Sequence, residues 1–353
     1  MKKYKSKLSI AFSVFFVLLM SVSYFLFSPS LILKVSADNF PLNRLWSQRF
    51  NDLVVDISTS NSDEIIFIRT NKSLYALQSN TGDILWSFPL SKQIDHSPAV
   101  NFGTKVYVTD SEALLALDME NGRVRWSQPL PETSGRVVDV SNSIVLINEV
   151  GADIRAYDVK YGSFLWNISG GRGFIQAFID ENLIYIPDYG VKAIDIKNGK
   201  DVWQYGTDVK YPSDYYNGVI YSAGNRVVAF DVRNQTELWD MVLPIVGLQR
   251  LKLDNDFLFV MDEKNIYLIK KSNGTLAWQV GMSHPMNPVI IGDVVYVMDG
   301  FGRVIQVFNL STGKEVGHIR VSLPHLLVVE NQDMYSSADI LLFSSGKYLF
   351  AYK

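Results

Sequence analysis

The chain has 353 residues, 48% of them hydrophobic and 13% aromatic, enough to bury a sizeable core as one large domain or two smaller ones. Its 33 Lys and Arg stand against 36 Asp and Glu, so it lacks the basic footprint that holds nucleic acid, and no nucleic-acid partner is expected. Cysteine is absent, which removes disulfides, thiolate metal sites, thiol nucleophiles and any lipid attached through sulfur.

The N-terminus opens with a basic segment expected in the cytoplasm, residues 1–7, carrying Lys2, Lys3, Lys5 and Lys7. Residues 8–27, LSIAFSVFFVLLMSVSYFLF, contain no charge. As a helix rising about 1.5 Å per residue they cover roughly 30 Å, the thickness of a bilayer core, and read as a transmembrane anchor or signal segment. Lysines before the span stay cytoplasmic, which predicts a single-pass cell-membrane protein with its N-terminus inside and the rest outside. The run is longer than the roughly 7–15 apolar residues of a cleavable signal, which favours an uncleaved anchor. Val35, Ser36 and Ala37 before Asp38 supply the alternative, cleavage after Ala37 and secretion. Residues 28–41 read as a linker.

Beyond the linker the sequence repeats. All seven tryptophans take part: Trp46, Trp86, Trp126, Trp166, Trp203, Trp239 and Trp278 recur at intervals of 40, 40, 40, 37, 36 and 39 residues. An eighth copy 39 residues further on has Gly317 in the tryptophan position. Ten residues before these positions, from the second onward, stand Ala76, Ala116, Ala156, Ala193, Ala229, Leu268 and Val307. Eight before stand Gln78, Asp118, Asp158, Asp195, Asp231, Lys270 and Asn309, and four before stand Gly82, Gly122, Gly162, Gly199, Gln235, Gly274 and Gly313.

That spacing is turn chemistry. In LLALDMENGRVRWSQ, Asp118 is placed to accept hydrogen bonds from turn amides while Gly122 supplies a positive φ, so the segment predicts a hairpin with Trp126 on its second strand. The small Ala116 predicts room for an indole from a neighbouring unit. Each hairpin is preceded by another pair of apolar strands, such as SPAV with KVYVTD. Four short strands in 36–40 residues make one propeller blade.

The last copy, ILLFSS then YLFAYK, places Ala351 at the alanine position and has no fourth strand, whereas LNRLWSQRF around Trp46 is a fourth strand without a hairpin of its own. Pairing the two closes a ring and brings the count to eight. The expectation is an all-β, eight-bladed β-propeller of four-stranded antiparallel blades over residues 42–353, closed by the N-terminal strand and preceded by one hydrophobic helix. Closure protects sheet edges, and the propeller is expected to be monomeric.

The pattern AxDxxTGxxxW, seen in ALQSNTGDILW, ALDMENGRVRW and AIDIKNGKDVW, resembles the repeat of the pyrroloquinoline-quinone-type (PQQ-like) β-propellers. That superfamily includes quinoprotein alcohol dehydrogenases and the outer-membrane assembly propeller lipoprotein. The resemblance covers residues 42–353 and implies the fold; its motif residues serve blade docking and turns, not chemistry. Two departures stand out. Gln235 replaces a turn glycine, with Asn234 expected to take the left-handed conformation instead, and Gly317 replaces a docking tryptophan, which should loosen one joint. The WD40 family is disfavoured, because Trp239-Asp240 is the one Trp-Asp pair.

Three function classes follow. A quinoprotein-type dehydrogenase would, by the resemblance, hold a quinone, Ca²⁺ and an Asp base in its central funnel. This chain lacks the adjacent cysteines on which the family's large alcohol dehydrogenases stack the cofactor, and its spacing leaves no long insertions to build a substrate pocket. No catalytic residue and no cofactor is therefore assigned, and pyrroloquinoline quinone with calcium belongs to that alternative alone. The favoured class is a non-catalytic binding or scaffold module for an envelope or extracellular protein partner, held to the membrane by a helix where the assembly lipoprotein uses a lipid.

The third class is a sensor for an anionic ligand. Loops before the innermost strands carry His96, Arg136, Arg172, Tyr211, Arg250, His284 and His325, a set that would favour an anion or acidic peptide at the channel mouth. Ordinary solvated loop residues are the alternative. The histidines show no paired spacing, so no metal site is assigned. SGGRG at 169–173 lacks the strand, lysine and helix of a phosphate loop, and LDNDF at 253–257 lacks the glycine and glutamate of a calcium loop, which leaves a tight turn.

Overall fold

The computed structural model describes residues 34–35 and 42–353 apart from 61, 92–97, 131–134, 150–152, 169–175, 188, 207–208, 210–211, 225, 246, 248–249, 255, 301–303, 321–333 and 338. Residues 1–27, with the expected hydrophobic helix, and most of the linker lie outside the described residues. Among the described residues no helix is long and apolar enough to cross a membrane.

The apolar runs become strands buried on both faces, as in sheets covered on either side. In Lys105–Thr109, Val106 and Val108 pack toward the preceding blade and Tyr107 toward the following one. Eight antiparallel sheets result. Blade 1 runs from Val54–Thr59 to Ile84–Pro89, blade 2 from Val100–Phe102 to Val124–Pro129, and blade 3 from Gly135–Val140 to Phe164–Ile168. Blade 4 runs from Phe178–Asp180 to Asp201–Tyr205, blade 5 from Ser213–Tyr216 to Thr236–Met241, and blade 6 from Arg250–Asp254 to Leu276–Gly281. Blade 7 spans Met286–Ile291 to Glu315–Arg320 and gains Lys34–Val35 as a fifth strand on its outer edge. Blade 8 is composite: Met334–Ser337, Ile340–Ser345 and Tyr348–Tyr352 are completed by Arg44–Arg49, with Trp46 opposite Ala351.

The core is divided among eight clusters, each formed by two adjacent blades. Blades 1 and 2 share Phe67, Trp86, Val106 and Leu115; blades 8 and 1 share Trp46, Ile57, Leu77 and Leu342. Stability is thus distributed over joints.

The repeat residues make these joints. Asp118 Oδ1 accepts from the amides of Glu120 and Asn121 at 3.0 and 3.2 Å, and Asp158, Asp195, Asp231 and Asn309 act likewise. The chain then passes through Gly122 at φ 69°, and Gly82, Gly162, Gly199, Gly274 and Gly313 share that conformation. Trp86 Nε1 donates to Met119 O at 2.9 Å, so its indole docks on the turn of the following blade, where a Cβ on Gly122 would sit 2.7 Å from the ring. Trp46, Trp126, Trp166, Trp239 and Trp278 dock in the same way. The indole therefore needs the missing Cβ of the next blade's glycine. Ala116 does something other than expected: it stands opposite Trp126 of its own blade.

Gln235, not Asn234, takes the left-handed conformation, at φ 55°. The position is dictated by its count from Asp231, while Asn234 is fixed by its Nδ2 donating to Asp231 Oδ2 at 2.8 Å. Gln235 brings a Cβ where an indole would rest. Trp203 is half-buried like Trp126 and Trp239, but unlike theirs its ring nitrogen donates no hydrogen bond among the described residues. Gly317 has a topological reason: a tryptophan there would dock on the last turn of blade 8, but Tyr348–Tyr352 and Arg44–Arg49 are joined by no turn.

Two sets of variants isolate the docking term. Gly103 has φ 60° with nothing near its absent Cβ, so Gly103→Ala should cost about 1–2 kcal/mol of backbone strain. Gly122→Ala should cost about 1–3 kcal/mol more by displacing Trp86; equal losses in denaturant melts would remove the docking explanation. Conversely, Gln235→Gly should stabilise by about 1 kcal/mol, a rise of about 2 °C in Tm, and let the Trp203 indole dock on the turn, read as a change in its fluorescence.

Candidate functional site

The inner strands place polar groups where the blades converge on the channel. Asp139 accepts the amide of Val140 on Oδ1 and, on Oδ2, the amide of Ile179 in the next blade, both at 2.8 Å. Asp214 repeats the device toward Leu253 at 3.4 Å and Asp254 toward Ile290 at 3.2 Å. Ser58 to Ala99 O, Thr109 to Gly135 O, Ser213 to Gln176 Oε1 and Ser337 to Asp63 O tie further joints with side-chain hydroxyls at 2.6–2.9 Å. These bonds hold inner strands whose backbone edges diverge from the axis.

Burial pushes the Asp139, Asp214 and Asp254 carboxyls above their usual range, against the amide hydrogen bonds that pull the other way. Asp118, in a turn, moves oppositely: the Arg125 guanidinium beside it and the turn amides hold its carboxyl low. Desolvation wins in the channel and pairing wins at the rim.

Of the seven candidate mouth residues, His96, Arg172, Tyr211 and His325 lie outside the described residues. Arg136 is half-buried on its inner strand and lines a cleft of about 400 Å³ with Pro98, Asp139, Gln176, Asp214 and Tyr215. Arg250 is exposed at the start of the inner strand of blade 6. His284 is exposed, its amide donating to Glu263 O at 2.8 Å and its ring 3.1 Å from Ser283 Oγ, and it lies against Gly300. That position is between the hairpins of blades 6 and 7. Sequence reasoning missed Asp139 and Asp214 and placed Asp254 in a turn, where the structure has it ending an inner strand; the available signal was a lone acid inside an inner-strand run, as in GRVVDV.

Among the described residues no group of three or more His, Asp or Glu could hold a metal ion. Ca²⁺ takes about 6–8 oxygen ligands. Asp139 and Asp214 accept a backbone amide on each carboxylate oxygen.

Fold and channel together define an eight-bladed propeller of the PQQ type. The chain belongs to the family described as outer membrane protein assembly factor BamB, whose model matches residues 70–280 and 214–334. Among solved structures it is similar to BamB from Moraxella catarrhalis, at 15% identity and a TM-score of 0.66, covering 88% of this chain and 99% of that one. It is similar as well to the quinohemoprotein alcohol dehydrogenase from Comamonas testosteroni, at 12% identity and a TM-score of 0.64, covering 88% and 76%. The computationally designed Ika8 protein gives 13% identity and a TM-score of 0.67, covering 88% and 99%. At these identities the likeness is one of fold. No curated protein matches the chain.

The channel acids set a pH dependence with a definite sign. Because the folded state raises the values of Asp139, Asp214 and Asp254, it holds their protons more tightly than the unfolded chain. Their contribution is complete below the unfolded value of about 3.9 and is lost as pH rises through the folded values. Asp118, lowered, contributes above about 3.9 and loses that as pH falls through its folded value. Asp139→Asn and Asp214→Asn each replace one of two acceptor oxygens with a donor, a loss present at every pH; on top of it, their Tm relative to wild type should improve as pH rises from about 4 to about 7. A difference independent of pH would refute the assignment.

Proposed function

We propose that this protein is a membrane-anchored, extracytoplasmic propeller that acts as a non-catalytic binding or scaffold module for protein partners in the cell envelope. The observation that carries the reading is the use of the channel carboxylates: Asp139, Asp214 and Asp254 tie one blade to the next through backbone amides. An acid engaged in that way is a structural staple, not a free base. Membership of the BamB family supports a role in assembly among envelope proteins. The charge-free run at 8–27 behind four lysines supports the anchor and its orientation. The ring presents two loop-bearing faces on a frame held at every joint, an arrangement suited to recognition by surface.

The competing reading, a quinoprotein dehydrogenase, shares this fold, so the experiment must separate the two. The full chain is melted with and without pyrroloquinoline quinone plus Ca²⁺, since a ligand of the native state raises Tm by mass action. In parallel, intact cells are treated with a short amine-reactive cross-linker. The scaffold reading expects no saturable rise in Tm, and a discrete cross-linked species with one envelope protein that disappears when the propeller is unfolded by Gly122→Ala combined with Gly82→Ala. A saturable rise accompanied by dye-linked alcohol oxidation would overturn it.

A further inference from the structure

On the face that carries the Asp and Gly turns, a cleft of about 480 Å³ lies between blades 5 and 6, lined by Tyr216, Asn217, Tyr221, Asp256, Lys270 and Lys271 among others. It continues into a second lobe of about 440 Å³ that shares Tyr216, Asp256 and Phe257 and reaches Ile290 and Leu310 of blade 7. This is the opposite side of the disc from the loops before the inner strands.

Lys271 is out of place there. The equivalent turn position holds Ser79, Met119, Val159, Ile196, Val232 and Leu310 in other blades, small or apolar residues. The position matters because its carbonyl receives the indole of the preceding blade, here Trp239 Nε1 at 2.8 Å. Lys271 is 8% exposed, as buried as Ser79 at the same position, and carries a cation at its tip. Its ammonium lies 3.9 Å from the centroid of the Tyr216 ring, and among the described residues it makes no hydrogen bond and no ion pair. Burial lowers its affinity for the proton, with the carboxylates of Asp256, Asp254 and Asp214 pulling the other way. Asp214 and Asp254 are engaged by the amides of Leu253 and Ile290.

The Lys271 ammonium opens on the cleft with no acceptor of its own among the described residues, and an arriving carboxylate supplies the charge-assisted hydrogen bond it lacks. Tyr216, 57% exposed, offers a flat wall beside it, and Phe257 extends that wall into the second lobe. Lys270 adds a second positive charge at the rim, while Asp256 in the cleft and Asp254 and Asp214 behind it disfavour a dianion such as phosphate. We propose that this cleft binds a carboxylate-bearing ligand with a flat or apolar body, the carboxylate seated on Lys271 and the body lying against Tyr216 and Phe257. The site is independent of the scaffold reading, since the carboxylate could belong to a small molecule or to an acidic side chain of a protein.

The test uses the full chain with N-acetyl-L-tyrosine and its uncharged amide as probes, in wild type, Lys271→Met and Lys270→Met. Methionine fills the same position in blade 2 as Met119, so Lys271→Met preserves the joint. The acid should raise Tm saturably and the amide should not. Lys271→Met should weaken the response by roughly tenfold or more, and Lys270→Met less. Independently of any variant, the acid but not the amide should slow acetylation of Lys271 by an amine-reactive reagent, read by mass spectrometry. Equal responses to acid and amide, an unchanged response in Lys271→Met, or no saturable response up to about 30 mM would overturn the proposal. An end-capped pentapeptide with one internal glutamate beside a tyrosine separates the sources: tighter binding than the free acid assigns the carboxylate to a protein, weaker or equal binding to a small molecule.

Discussion

The interaction on which the ring depends is the docking of a tryptophan from the outermost strand of one blade onto the last turn of the next. It requires an indole and a residue without a Cβ where the ring lands, and in most blades an aspartate or asparagine winds the turn between them. Trp86, Asp118 and Gly122 show the set complete, with the indole nitrogen bonded to Met119 O. Everything else in the structure accommodates this joint. The hydrophobic clusters form between blades because the docking brings two sheets face to face, and the polar ties of the inner strands reinforce the same joints near the axis. Energy is therefore stored in neighbour contacts, as in repeat arrays, with the difference that the array bites its own tail.

This explains why the fold was legible in the sequence and much of the site was not. A joint repeated at fixed spacing leaves a period in the sequence, and tryptophan is rare enough to reveal it. The composite blade was legible because Trp46 is a strand-bearing indole with no hairpin behind it. The turn departure was read less well: counting from Asp231 fixes which residue must adopt a positive φ, and that geometry overrode the better intrinsic preference of Asn234. Asp139, Asp214 and Asp254 stand 27, 25 and 24 residues before the tryptophans of their blades, so no period marks them. Lys271 looked like one polar residue among many in a turn. Its burial is decided by what lies across the joint, which local sequence does not contain.

The same division separates fold from function. Residues that repeat serve architecture, and residues that break the repeat are where individuality resides. The breaks here fall into two kinds. Gly317 is explained by topology, since blade 8 has no final turn to receive an indole. Gln235 and Lys271 have no such excuse and lie on the joints flanking blade 5, one loosening a dock and the other burying a charge. Blade 5 and its neighbours are thus the least regular arc of the ring.

The composite blade also sets an order of events during synthesis. Arg44–Arg49 is made before the other strands of its own blade and its partner, Tyr348–Tyr352, last. At about 5–20 residues per second the interval is roughly 15–60 s. The early strand need not wait unattached, because Trp46 bonds to Ser79 O and rests on Gly82 of blade 1, which emerges soon after it. It would be held in position with its hydrogen-bonding edge bare, a template awaiting one particular strand. Until that strand arrives, any extended chain of suitable length competes for the same edge, so exchange between molecules has its opening at the final step of ring closure.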